Sequence, residues 1–133
     1  MINEQVIRSS LEDLSKQAHT IGVTQNLWSA EDRLVELVSK QGFSEDVKFL
    51  RSAIRGLHIS MVHGELSEAI EGDRRNLMDS KLPEFSAFEM ELADAVLRIM
   101  NINAREGLRV PEAILAKLKL NATRTNESEG KNY

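Results

Sequence analysis

From Leu50 to Glu68 one side of a helix can be read directly along the chain. Leu50, Ile54, Leu57, Met61, Glu65 and Glu68 recur at steps of three or four residues, the spacing that stacks side chains on a single helical face. The stripe begins apolar and ends in two carboxylates. A second pair follows after a polar connector, so that Glu65-Leu-Ser-Glu68 is matched by Glu91-Leu-Ala-Asp94. Each pair lies on one face of its helix, about one turn apart. Four acids gathered at the end of a core repel one another, and withdrawing them from water is costly unless something offsets their charge. The usual remedy is a divalent cation with oxygen ligands, Mg²⁺ being the commonest. Taken singly, either pair also fits an ordinary solvated helix face.

The remaining composition narrows the setting. With 133 residues, 41% of them hydrophobic and 29% charged, the chain suits one soluble globular domain. The absence of cysteine excludes disulfides, thiolate catalysis and zinc–thiolate sites, and agrees with a reducing cytoplasm, the expected location. A net charge of −4 with no long basic run argues against duplex nucleic acid as a partner. The opening Met-Ile-Asn-Glu-Gln lacks the features of a signal peptide. No apolar run reaches the ~18 residues of a membrane span. Only 2 prolines and 7 glycines, with little alternating apolar pattern, predict an all-α helical bundle of four to five helices.

Taken in order, the first helix is expected over 3–20, with Val6 or Ile7, Leu11, Leu14 and Ala18 inward and Gly22 as its stop. Ser29 and Asp32 resemble a capping box for a second helix over 30–41, with Leu34, Leu37 and Val38 inward and Gly42 at its end. Ser44 would cap a long third helix over 45–72 that carries His58 and His63, both read as packed or surface residues. Gly72 to Arg75 are read as solvated. A fourth helix over 84–106 presents Phe85, Phe88, Leu92, Val96 and Ile99 on a core face, and Glu91, Asp94, Arg98 and Asn101 on a polar face beside it. Gly107 ends it, and Pro111 falls in the first turn of a fifth helix over 111–124. One domain is therefore predicted over 1–124, followed by a flexible polar tail over 125–133.

The segments His63-Gly-Glu-Leu-Ser-Glu-Ala-Ile-Glu-Gly-Asp-Arg-Arg75 and Glu89-Met-Glu-Leu-Ala-Asp-Ala-Val-Leu-Arg98 resemble the MazG-like all-α nucleoside triphosphate pyrophosphohydrolases. The signature E-x-x-E, spacer, E-x-x-D corresponds to Glu65, Glu68, Glu91 and Asp94. A downstream pattern of lysine, asparagine and arginine with a glycine–lysine tail corresponds to Lys117, Asn121, Arg124, Gly130 and Lys131. The likeness covers 50–133, is looser over 1–28, and leaves 29–48 as an extra helix or an extended connector. It implies Mg²⁺-dependent cleavage of a (d)NTP between the α and β phosphates, giving (d)NMP and pyrophosphate. It also implies nucleotide-pool sanitation and an intertwined homodimer or homotetramer whose site a neighbouring subunit helps to complete.

On this reading Glu65, Glu68, Glu91 and Asp94 hold Mg²⁺, and a glutamate of the first pair also serves catalysis by orienting or deprotonating water. Lys117, Arg124 and Lys131 meet the phosphates, with Asn121 on phosphate or sugar. Trp28, with His19 near it, is a candidate to stack on a base, although a single tryptophan more often anchors a core or interface. Arg98 would pair with Asp94 or Glu91. The spacer from Ala69 to Met90 carries no element that selects a nucleotide. Extensive apolar faces, with Phe85, Phe88, Met61 and Met100, independently predict a homodimer or tetramer. The alternative function is a non-catalytic helical oligomerisation or interaction module. A di-iron bundle is disfavoured because its Glu-x-x-His ligand pattern is not met.

Overall fold

A computed structural model describes residues 3–127, with side chains through Thr123. Five helices follow in order: α1 (Glu4–Thr24), α2 (Ser29–Lys40), α3 (Ser44–Arg74), α4 (Ala87–Glu106) and α5 (Val110–Glu127). The fold is all-α. Among the described residues the β structure amounts to an isolated antiparallel bridge between Met78 and Ser86. α3 packs chiefly on α4, α4 on α1, and α1 on α5, while α2 rests mainly on α3. No helix among the described residues is long and apolar enough to cross a membrane.

The chain breaks fall where backbone chemistry requires them. Gly42 (φ +78°) follows α2 and Gly107 (φ +61°) closes α4, in the left-handed region where a side chain is penalised. Asn26 and Asn76 take the same region after α1 and α3. α4 starts with a complete capping box, Ser86 accepting from the Glu89 backbone N–H and Glu89 accepting from Ser86, a signal overlooked in the sequence. Just before it, Asp79 Oδ1 accepts the backbone N–H groups of Lys81 (2.9 Å) and Leu82 (2.7 Å). These bonds, Leu82's foremost, hold its carboxyl below the usual range and give the connector between the two acid pairs a defined shape.

Several local expectations need correction. Gly22 does not stop α1, which continues to Thr24. It lies inside the helix because a Cβ there would stand 2.5 Å from Asn101 Nδ2 and 3.1 Å from Trp28 Nε1. Gly72 is buried rather than solvated, and its missing Cβ would meet that of Ala87 at 2.8 Å. Ser29 is not a cap: the α2 cap position is Trp28, Ser29 Oγ donates to the Asn26 carbonyl, and Asp32 pairs with Arg105 instead. Phe43, not Ser44, precedes α3, with no side-chain cap.

A polar staple joins three helices near the middle of the bundle. Ser15 Oγ donates to the Met100 carbonyl (2.8 Å), and Asn103 Nδ2 donates to Ser15 Oγ (2.8 Å). Asn103 Oδ1 accepts from Val110 N–H (3.0 Å) at the start of α5. Ser15 and Asn103 are both buried, so these bonds satisfy groups that would otherwise be costly to enclose.

The apolar core is thin. Its buried members are Ala18, Trp28, Val62, Ala69, Ala95, Met100 and Leu115, and no large side chain among the described residues is wholly enclosed. α2 buries nothing, and Leu34 and Leu37, expected inward, are exposed. On α4 the supposed core stripe of Phe88, Leu92, Val96 and Ile99, with Phe85 just before the helix, is 37–45% exposed. The faces that turn inward are instead Ala95, Met100 and Asn103 on α4 and Val62, Glu65, Ala69 and Gly72 on α3.

Candidate metal centre and adjoining cavity

The inward face of α3 sets the site. Val62, Glu65, Ala69 and Gly72 are spaced by three or four residues and pack against α4, where small residues let the two backbones approach. Glu65 is therefore carried into the seam, with 9% of its surface exposed. From α4, Glu91 and Asp94 reach the same point. Carboxylate oxygens of Glu65, Glu91 and Asp94 lie within 4.8 Å of one another. Oxygens around one magnesium ion stand roughly 3–4 Å apart, so modest side-chain rotation would converge them. An all-carboxylate donor set suits a hard divalent cation.

The crowding has an electrostatic signature. Glu91 is pushed up to about 7, by burial first, then by its hydrogen bond with Glu65 and the charges of Glu68, Glu65 and Asp94. Glu65 is held from its other side by Arg98, whose Nε donates to Glu65 Oε1. The pairing expected for Arg98 was with Asp94 or Glu91. The seam between helices brings it to Glu65 instead, a cross-helix partner that spacing along one helix does not reveal.

The structure brings together three of the four acids. Glu68 is exposed and outside the group, although close enough for its charge to act on Glu91. The helix turns Val62 and Ala69 inward, which rotates the Leu57 and Glu68 side of the expected stripe outward, Leu57 being 55% exposed.

Beside Asp94 opens a cavity of about 390 Å³ between α1 and α4. Ile21, Leu27 and Leu97 form apolar walls, while Asp94, Arg98, Asn101 and Gln25 supply polar groups. Asn101 Oδ1 is 3.0 Å from His19 Nδ1, and its amide nitrogen fits over Gly22. A smaller pocket of about 100 Å³ shares Leu27, Arg98 and Asn101 and continues to Trp28, His58 and Met61.

Trp28 closes that end. It is 6% exposed, with Arg105 5.0 Å over its ring, the His58 ring 4.6 Å away and the His19 ring at 6.1 Å. A base could not stack on a ring so covered without displacing one of these neighbours. Its indole N–H has no hydrogen-bond partner among the described residues. His58 Nε2 stands 2.7 Å from Glu31 Oε1, but off the direction a ring N–H needs for a hydrogen bond.

Lys117 and Asn121 lie on α5 and line neither cavity beside the acids. Arg124 is on the same helix. Lys131 and the 128–133 part of the tail, including Gly130, are outside the described residues. Sequence reading undervalued Arg98 and Asn101; their place at the i+4 and i+7 positions from Asp94, on the polar face of α4, was the available signal. No protein-family model matches the chain, and no curated protein or solved structure is significantly similar to it.

Proposed function

We propose that this chain is a Mg²⁺-dependent nucleoside triphosphate pyrophosphohydrolase of MazG-like type, cleaving a (d)NTP to (d)NMP and pyrophosphate in nucleotide-pool sanitation. The observation that carries the reading is the convergence of Glu65, Glu91 and Asp94 from two helices, with Asp94 also lining a cavity large enough for a nucleoside. When bound, Mg²⁺ offsets phosphate charge and makes water a better nucleophile. Glu65, Glu91 and Asp94 would hold the ion. Glu68, exposed and without a hydrogen-bonded partner among the described residues, is the acid left free to take a proton from water. The cavity would receive the nucleoside, with the amides of Asn101 and Gln25 available to its polar edges.

The same reading includes a homodimer or homotetramer. A half-exposed apolar stripe on α4, together with Ile59, Leu66 and Ile70 at 39–60% exposure on α3, is more apolar surface than a single small chain ordinarily leaves open. Lys117, Asn121, Arg124 and Lys131 would then meet phosphates across such an assembly. A second reading, a non-catalytic oligomerisation module, draws on the same apolar stripe and on the Arg98–Glu65 pair, which already neutralises one acid.

Pyrophosphate release from a panel of ribo- and deoxynucleoside triphosphates, with Mg²⁺ and with chelator, separates the two. The enzyme reading expects Mg²⁺-dependent release that Glu68→Ala loses. Silence across the panel, with no shift of melting temperature by Mg²⁺, would leave the interaction module.

A further inference from the structure

Arg98 occupies an unusual position for a structural ion pair. Its Nε donates to Glu65 Oε1, so it neutralises one of the carboxylates that would ligate a metal ion. The Glu65 side chain is 11% exposed and that of Arg98 37%; the acid is fixed in the seam and the arginine can leave it. A divalent cation drawn to Glu65, Glu91 and Asp94 would compete with the guanidinium for the Glu65 carboxylate and repel it at close range. Arg98 lines both the cavity beside Asp94 and the smaller pocket behind it. A released guanidinium would therefore point into the space next to the metal centre, with its planar fork matched to phosphate oxygens.

We propose that Arg98 is an exchangeable counter-ion. It holds Glu65 while the centre lacks metal, is displaced when a divalent cation takes the carboxylates, and then binds phosphate oxygens of a nucleotide in the adjoining cavity. The inference rests on the metal–nucleotide reading above and adds an order to it: metal first, then nucleotide. It assigns Arg98 to substrate binding and not to bundle stability alone.

The test follows the ¹⁵N-labelled Arg98 Nε–H resonance, assigned by its loss in Arg98→Lys, through addition of Mg²⁺ and then of a non-hydrolysable nucleoside triphosphate analogue. The resonance should move at both steps. By calorimetry, Arg98→Gln should bind Mg²⁺ several-fold more tightly and, at saturating Mg²⁺, bind the analogue roughly tenfold more weakly, the change expected for loss of one charge-assisted contact. Arg98→Lys, which keeps the charge but not the fork, should bind the analogue with intermediate affinity. It carries the binding test if Arg98→Gln does not fold. A resonance unmoved by Mg²⁺, or unchanged analogue affinity in both variants, overturns the exchange. If the wild-type protein binds Mg²⁺ and releases pyrophosphate while the variants match it, only the exchange fails. If the wild-type protein does neither, the metal–nucleotide reading fails with it.

Discussion

The two halves of α3 are built differently. From Val62 to Gly72 the helix buries one residue per turn, Val62, Glu65, Ala69 and Gly72, against α4. From Ser44 to Leu57 it buries none, and Phe49 is 76% exposed and Leu57 55%. One end of the helix is locked within the chain; the other meets α2, which buries nothing of its own, and reaches α4 through the exposed Arg55–Glu106 pair. The contrast separates two tasks. The locked half places a carboxylate against two others, and placement to within a fraction of an ångström requires packing. The open half leaves large apolar side chains on the surface.

The largest effect should come from the locked half. Glu65→Ala is expected to lower Mg²⁺-dependent pyrophosphate release by roughly 100-fold or more, the scale on which a metal ligand or its close support is felt. Equal loss in a distant surface variant such as Glu36→Ala would show that the effect was not local. Next comes the apolar stripe of α4. Leu92→Asp should dissociate the proposed assembly, seen by light scattering as a fall toward the 15.0 kDa of one chain; an unchanged mass would remove the stripe from the proposed interface.

Glycine substitutions compare the halves directly. Gly72→Ala forces a Cβ to 2.8 Å from that of Ala87 and should destabilise by about 1–3 kcal/mol in denaturant titration, as overpacking does. Gly56→Ala, in the open half with no atom within 4 Å of its added Cβ, should stabilise by about 0.5–1 kcal/mol through helix propensity. Effects of the same sign would erase the distinction.

A pH scan sharpens it from another side. Glu91, pushed from 4.5 up to about 7, keeps its proton in the folded chain where the unfolded chain has lost it. Below 4.5 both states are protonated and nothing is lost. As pH rises from 4.5 through 7 the folded state is progressively disfavoured. The chelated protein should therefore melt at a falling temperature across that window. Mg²⁺ should flatten the fall, because the ion replaces the proton.

The five helices were legible because their punctuation is local: Gly42, Gly107 and Pro111 end or begin elements by backbone chemistry alone, and the three- and four-residue spacing of apolar residues does the rest. The acid pairs were legible for the same reason. What the sequence did not disclose was which apolar face turns inward. Phe88, Leu92, Val96 and Ile99 have core spacing, but spacing reports that a face is to be covered and not by what. That ambiguity also hid the outward turn of Glu68. Arg98 was assigned to the wrong acid because its partner is on another helix, and Gly22 was read as a terminator because close packing of Trp28 and Asn101 leaves no trace in neighbouring residues. The roles given to Lys117, Asn121, Arg124 and Lys131 rested on resemblance, and a single chain does not carry Lys117 or Asn121 to either cavity.

The buried Ser15–Asn103 staple acts as an alignment pin. Ser15 and Gly22 are seven residues apart on α1, about 10 Å along the helix axis. If α1 slid by one turn against α4, Ala18 would arrive where Gly22 now stands, and its methyl group would strike the Asn101 amide that packs there. Ser15 and Asn103 hydrogen-bond at only one setting of that slide. The register of the cavity's two walls is thus set by two polar residues that do not line it, and the lining can be left intact while its alignment is lost.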